Sequence, residues 1–214
     1  MRSFASVVLA LVLAGCTSSS GDPAPGFIGP AVAAAYIPLG GSAHLVMVMH
    51  GAAVVFAPGV AVTAAHNDTI VDSASVIGKA AESDLLFFRT ARTAPLATAA
   101  PQEGEPVIAY GQDNNGGLRV AYGTIRKLHV PVKPFCAGCA PQDAFLFEAN
   151  AGPGFSGGPV LDAKDGRLVG IVFGYLDPGE VADKTAMNVS GAARAMYAYD
   201  MAQVAAAFSA LQNR

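Results

Sequence analysis

Tryptophan is absent from this chain of 214 residues, cysteine occurs only three times, and charged residues make up only 14%. The formal net charge is −3, so the chain lacks the basic excess that nucleic-acid binding requires, and we expect no nucleic-acid partner. Hydrophobic residues reach 52%, which excludes intrinsic disorder, because a disordered chain needs low hydrophobicity and high charge. The apolar run at residues 4–13 would span about 15 Å as a helix, too short to cross a bilayer.

The N-terminal run is instead typical of a secretion signal, with Arg2 supplying its positive charge. It ends in the sequence LAGC at Cys16, which resembles the bacterial lipobox. The resemblance implies a signal peptide over residues 1–15 and lipid on both the sulfur and the new amino group of Cys16. Two or more acyl chains hold a protein stably on a membrane. The alternative is an ordinary secretory signal with a chance cysteine.

The lipobox resemblance also implies a location in the bacterial cell envelope. Thr17 rather than an aspartate follows Cys16, which implies the outer membrane in a bacterium with two membranes. Residues 16–30 are rich in serine, glycine and proline, and this composition predicts a flexible tether before the folded domain at residues 31–214.

The domain contains many short β-rich runs followed by one helical pattern. Asp165-Gly166 lies between two such runs and predicts a hairpin. Asp200 and Gln203 form a capping box before apolar residues at helical spacing. The pattern predicts an antiparallel all-β barrel or sandwich with a C-terminal α-helix over residues 200–212.

A single serine, Ser156, lies in the glycine-rich segment GPGFSGGP. Such a segment suits an acyl-transfer nucleophile whose neighbouring amides form an oxyanion hole, although it equally fits a simple turn or the G-x-S-x-G elbow of α/β-hydrolases. The elbow requires a later histidine, and the subtilisin order requires an acid before the histidine. All histidines precede Ser156, and the only acid before His66 is Asp22. The order His, acid, Ser remains.

Four segments in this order resemble trypsin-like serine peptidases. They are VTAAH ending at His66, the apolar strand opened by Asp84, GFSGGP around Ser156, and LVGIV beginning at Leu168. The resemblance covers residues 36–212. It implies two antiparallel six-stranded β-barrels of the chymotrypsin type, at about 36–98 and 104–199.

The resemblance also implies the roles of a catalytic triad. Ser156 is the nucleophile, His66 the general base and Asp84 the acid that orients the imidazole, while the amides of Gly154 and Ser156 form the oxyanion hole. Asp68 and Asp72 are rival acids that follow His66 too soon to return from another strand. We expect a monomeric serine endopeptidase with protein or peptide substrates and no metal or other cofactor.

The primary substrate pocket is assigned by the same resemblance. Asn150 is its base, and its walls are formed by Val172, Phe173, Gly174 and residues 193–196. With no carboxylate at the base, though Glu148 is near, we expect selection of an uncharged, small to medium apolar side chain.

Two further cysteines, Cys136 and Cys139, lie in a proline-flanked loop. Outside the cytoplasm this spacing predicts a local disulfide. A redox pair lacks its βαβ context, and a zinc site would need two more ligands, of which only His129 is near. We expect structural roles for His44, His50 and His129.

The rival function is that of a catalytically silent lipoprotein that binds a peptide or protein partner through a peptidase fold. A degenerate copy usually loses a triad residue or the glycines around the serine. The chain keeps them all.

Overall fold

The computed structural model describes residues 20–25, 28–44, 47–133 and 140–214, and the side chains of all of these except residues 41–44, 47 and 48. Cys16, Cys136 and Cys139 lie outside the described residues, as does the predicted signal peptide. No helix in the described ranges is long and apolar enough to span a membrane. The strands are β1 (Asp22–Pro23), β2 (Tyr36–His44), β3 (Met47–Ala57), β4 (Val60–Ala64), β5 (Val76–Lys79), β6 (Leu85–Arg89), β7 (Pro106–Gln112), β8 (Leu118–Val132), β9 (Gln142–Ala149), β10 (Pro159–Asp162), β11 (Leu168–Leu176) and β12 (Arg194–Asp200). The α-helices are α1 (Pro30–Ala35) and α2 (Met201–Gln212), and 3₁₀ helices cover Ala65–Ile70 and Ser73–Ser75.

The N-terminal sheet has the strand order β2-β3-β4-β6-β5, and all its pairings are antiparallel. Four residues of β4 and four of β6 are buried, as expected for apolar runs in the middle of a sheet. Ala64 at the end of β4 pairs with Leu85 at the start of β6. Antiparallel partners therefore bring the residues just after β4 beside those just before β6.

The second sheet is a closed barrel with the order β8-β7-β10-β11-β12-β9, completed by pairing of β9 with β8. The hairpin predicted at Asp165-Gly166 is confirmed, because β10 and β11 are antiparallel neighbours across it and Gly166 has φ +74°. The predicted chymotrypsin-like all-β class with a C-terminal helix is thus confirmed. In the described part of the chain the N-terminal sheet has five strands. Residues 65–84, which connect β4 to β6, leave room for only one short strand, β5.

Helix α2 connects the two sheets. Its predicted capping box is confirmed: Asp200 accepts from the Gln203 amide at 2.8 Å, and the Gln203 side chain accepts from the Asp200 amide at 2.9 Å. The helix follows β12 of the barrel but packs on the N-terminal sheet, where the Phe208 ring lies 4.9 Å from that of Phe87. The buried aromatic contact holds both sheets in one core.

The tether predicted over residues 16–30 is wrong for its described part. Ser20 is buried, β1 pairs with β8, and α1 occupies Pro30–Ala35. The serine-, glycine- and proline-rich composition wrongly indicated a tether, because a strand can be held by backbone hydrogen bonds without contributing large apolar side chains.

Candidate active site

His66 and Asp84 form a direct pair at the edge of the N-terminal sheet. His66 follows β4 and Asp84 precedes β6, so the β4–β6 pairing brings them together. The imidazole Nδ1 lies 2.6 Å from Asp84 Oδ2, and the His66 amide donates to Asp84 Oδ1 at 3.0 Å. An imidazole that donates Nδ1–H to a carboxylate presents its lone pair on Nε2, as a general base requires.

Asp84 is itself held by the barrel through its backbone. The residue is 1% exposed, and its amide donates to the Tyr199 hydroxyl on β12 at 3.1 Å. Burial raises the pKa of the Tyr199 phenol, which keeps that hydroxyl protonated. The backbone of Asp84 is therefore held by the barrel, while its carboxylate is bonded to His66.

The two rival acids, Asp68 and Asp72, bond to groups other than His66. Asp68 pairs with Lys79 on β5, and Asp72 caps the short helix Ser73–Ser75 by accepting from the Ala74 amide. Of the three acids, Asp84 alone has a described contact with His66.

Ser156 lies in the loop of residues 150–158 between β9 and β10, which we call the serine loop. Gly157 has φ +78°, and a side chain there would collide with Thr63 Oγ1 and the Ala52 carbonyl. Only glycine permits so close an approach of the loop to the N-terminal sheet. The Ser156 carbonyl accepts from the Ala52 amide at 2.9 Å, so the serine is fixed beside the histidine segment.

Gly154, the other predicted oxyanion residue, has φ +88° and lies against β7. Its carbonyl accepts from the Gln112 amide at 3.0 Å, and a Cβ at Gly154 would collide with the Gln112 carbonyl. Within the described part of the chain, no protein acceptor is found for the amides of Gly154 or Ser156. Both N–H groups suit a substrate oxygen.

Asn67 is a site residue that the sequence analysis missed. It is 3% exposed, and its Nδ2 donates to the Ser156 carbonyl and to Thr63 Oγ1, both at 2.9 Å. Its side chain fills the space above Gly51. The available signal was its position next to His66, where the trypsin-like family often has a cysteine.

We expect Asn67→Ala to lower turnover by about 10–100-fold, because a small displacement of the reacting group is that costly. Loss of the buried donor should also lower the free energy of unfolding by about 1–3 kcal/mol. Peptide hydrolysis and denaturant unfolding measure both effects. Asn115→Ala, at an exposed turn residue, is the control. Equal turnover of the two variants would remove Asn67 from the site.

The base of the predicted pocket is polar but carries no unpaired carboxylate. Asn150 is exposed and lines a surface cavity of about 480 Å³ together with Tyr122 and Arg126. Glu148 is buried, and its oxygens accept from Ser190 Oγ at 2.6 Å and from Arg126 Nη2 at 3.0 Å. Glu148 is therefore engaged in internal bonds rather than presented to a basic substrate.

The residues predicted to form the pocket walls are mostly buried, and their role as walls stays a prediction. Val172 exchanges backbone bonds with the serine loop, and the Phe173 ring stacks on Tyr199 at 4.1 Å in the core. Gly174 is buried. The segment 193–196 contains Arg194, which donates to the Ala151 carbonyl at 3.0 Å and pairs with Asp177 at 2.6 Å. A guanidinium therefore lies against the loop that bears Asn150.

Hydrogen bonds from Ser190 and Gly191 and the charge of Arg126 outweigh the effect of burial and hold the pKa of Glu148 below its usual range. The charged form of Glu148 therefore stabilises the fold at pH values above the ordinary pKa of a glutamate. This contribution is lost as the pH falls through the lowered pKa. We expect Glu148→Gln to lower the free energy of unfolding by about 2 kcal/mol at pH 7. Urea unfolding should show the difference vanishing at strongly acid pH. A difference equally large there, or no larger than for exposed Glu82→Gln, would contradict this role.

The other histidines lie away from the pair. His129 is exposed and bonds Asp143 at 2.6 Å, and this hydrogen bond raises the pKa of its imidazole. His50 is half-buried against Gly40, and the side chain of His44 lies outside those described. Among the described residues, no group of three His, Cys, Asp or Glu side chains could hold a metal.

The fold is of the chymotrypsin-like class: a closed barrel packs against a second sheet, with a His–Asp pair and a serine flanked by glycines where the two meet. The chain belongs to the family of trypsin-like peptidase domains, whose sequence model matches residues 41–171.

Solved structures agree with this fold. The active form of the Rv3671c protease from M. tuberculosis is 21% identical with a TM-score of 0.66, and the match covers 88% of this chain and 87% of that one. The HtrA-type protease AlgW with a tripeptide is 20% identical at a TM-score of 0.61, covering 85% and 61%. The MamO protease domain from Magnetospirillum magneticum is 15% identical at a TM-score of 0.58, covering 83% and 97%. No curated protein sequence matches the chain.

Proposed function

We propose that the protein is a serine endopeptidase that cleaves peptide bonds through an acyl-enzyme. The observation that carries the proposal is the His66–Asp84 pair, 2.6 Å apart, beside a serine whose carbonyl is bound by Asn67 and Ala52. A buried carboxylate that fixes an imidazole next to a glycine-framed serine is the arrangement for nucleophilic acyl transfer.

The reaction would proceed in two halves. Ser156 Oγ attacks the scissile carbonyl carbon while His66 takes its proton, and the carbonyl oxygen becomes an oxyanion held by the amides of Gly154 and Ser156. The C–N bond then breaks, and His66 gives the proton to the leaving amine. Water then attacks the acyl carbon while His66 takes its proton; the bond between Ser156 Oγ and the acyl carbon breaks, and His66 returns the proton to Ser156 Oγ as the carboxylic acid product leaves. Asp84 stabilises the imidazolium throughout.

Hydrolysis of a protein substrate tests this function. Purified protein should release new amino termini from unfolded casein near neutral or mildly basic pH, and Ser156→Ala should not. The rival is a silent lipoprotein that binds a peptide partner. Binding of casein by the wild type without cleavage would favour that rival.

We further propose that the protein is a monomer held on the bacterial envelope, in the outer membrane of a two-membrane bacterium, by lipid on Cys16. The lipobox-like sequence LAGC supports this anchor. Ser20, which is buried, follows Cys16 by only four positions, a reach of at most about 14 Å, so the domain would lie close to the membrane surface.

We expect Cys16→Ser to shift the protein from the detergent phase to the aqueous phase, or to leave an uncleaved precursor, because the lipid acceptor is lost. Detergent-phase partitioning of both forms from a bacterial host measures this. A mutant of mature size that partitions like the wild type would exclude lipidation at Cys16.

A further inference from the structure

The N-terminal residues 20–23, which we call the strap, complete the barrel next to the serine loop. Strand β8 is 15 residues long, and β9 pairs with it only as far as Gly123, where Ala149 ends β9. The strap occupies the next stretch of the same β8 edge, with Asp22 opposite Val120. Without the strap, backbone groups of β8 at this edge would lack their partners.

Backbone contact joins the strap to the first residue of the serine loop. The Gly21 amide donates to the Asn150 carbonyl at 2.6 Å. Asn150 is the residue at which the chain leaves β9 and turns toward Ser156, so this bond fixes the start of the turn.

Gly21 also supports the residue between the two oxyanion amides. It has φ +72°, and a Cβ there would lie 2.7 Å from Phe155 Cζ and 2.7 Å from the Val120 carbonyl. Phe155 is fully buried, and the base of its ring lies against Gly111, where a Cβ would come within 2.5 Å of Phe155 Cγ. The tip and the base of the ring therefore each contact a glycine, and the glycine at the tip is in the strap.

Arg194 bonds to both the strap and the serine loop. Its Nη1 donates to Ser20 Oγ and to the Ala151 carbonyl, both at 3.0 Å. Its Nε is held by Asp177 at 2.6 Å, and its guanidinium lies 5.0 Å from the Tyr175 ring centre. One partly buried cation thus joins the strap to the serine loop, and charge-assisted bonds of this kind are about twice as strong as neutral ones.

We propose that the strap is a positioning element for the oxyanion hole: Ser20 and Gly21 hold the serine loop in the conformation that aims the Gly154 and Ser156 amides. The expected effect of the strap on turnover rests on the proposed function. Oxyanion donors act only when they are fixed where the charge develops, so release of the strap lowers turnover more than substrate binding.

Gly21→Ala in the full-length protein tests the proposal, with Gly166→Ala as the matched control. Both glycines have nearly equal positive φ, +72° and +74°, but a Cβ at Gly166 meets nothing within 4 Å. We expect Gly21→Ala to lower kcat for peptide hydrolysis by about 10²-fold, the effect of losing one oxyanion donor, with KM changed less than about twofold. Gly166→Ala should keep the kcat of the wild type.

A second readout does not depend on activity. The Phe155 and Gly158 amides are bonded within the serine loop, to Gly152 and Phe155 carbonyls at 3.0 and 2.8 Å. Their hydrogen exchange should accelerate at least about tenfold in Gly21→Ala but not in Gly166→Ala. Equal kcat and equal exchange in the two variants would overturn the proposal. If the wild type shows no Ser156-dependent hydrolysis, the proposed function fails, and the exchange rates alone decide whether the strap holds the loop.

Ser20 variants keep the test decisive if Gly21→Ala does not fold. Ser20→Val removes the acceptor of Arg194, whereas Ser20→Thr, whose side chain has nearly the volume of valine, retains it. We expect Ser20→Val to lower kcat and accelerate exchange in the serine loop, and Ser20→Thr to restore both. Wild-type kcat and exchange in Ser20→Val would contradict the proposal.

Discussion

Ser156→Ala and His66→Ala are each expected to lower kcat by about 10⁶-fold, and the double variant should be no worse than either single one. The reason is that the two groups act as one unit: without the base the hydroxyl is not activated, and without the hydroxyl the base has nothing to activate. Single-turnover hydrolysis of a fluorogenic peptide by each purified variant measures the effect.

Ser73→Ala and His129→Asn are the matched controls for these two variants. Ser73 lies exposed in a short 3₁₀ helix, and His129 is exposed and bonded only to Asp143 among the described side chains. Asparagine tolerates the left-handed backbone of His129, whose φ is 55°. Both controls should keep wild-type turnover. Additive losses in the double variant would mean that Ser156 and His66 do not share one reaction.

Asp84→Asn is expected to lower kcat by about 10⁴-fold with little change in stability, by analogy with the trypsin-type triad. The amide would still accept the His66 backbone N–H that now lies 3.0 Å from Oδ1. It would not favour the imidazole tautomer with the proton on Nδ1, and it would not stabilise the imidazolium. Turnover and thermal unfolding of the variant measure both effects.

Asp68→Asn is the control for this variant, because Asp68 is the nearest rival acid in the chain and its partner is Lys79. It should keep wild-type turnover. A full loss in Asp68→Asn together with an active Asp84→Asn would show that the acid has been wrongly assigned.

Much of the site could be predicted because its signals are local or depend on chain order. The position of all histidines before Ser156 excluded the α/β-hydrolase elbow without any structure, and the near absence of acids before His66 excluded the subtilisin order. The hairpin at Asp165-Gly166 and the capping box of Asp200 use only neighbouring residues, so no distant contact could override them. The His66–Asp84 contact follows from one strand pairing, β4 with β6.

The parts that were missed depend on contacts between distant residues. Gly21 is buried because it lacks a side chain and so fits against Phe155, 134 positions further along the chain, whereas its composition suggested a tether. Arg194 lies in an otherwise small and apolar run, and only its distant partners Asp177 and Ser20 explain its position. Asn67 contacts Ser156 across the two sheets, 89 positions apart. No periodicity in a single sequence reports such pairs.

Labelling with a fluorophosphonate followed by mass spectrometry tests the central claim most directly. Only a serine beside a base and an oxyanion hole attacks phosphorus quickly, so the native protein at pH 8 should gain one phosphonyl group, on the peptide that contains Ser156. Rapid, single-site labelling that is lost in Ser156→Ala is the predicted result. Folded protein that remains unlabelled, or that is labelled on another residue, would contradict the assignment of Ser156 as an activated nucleophile.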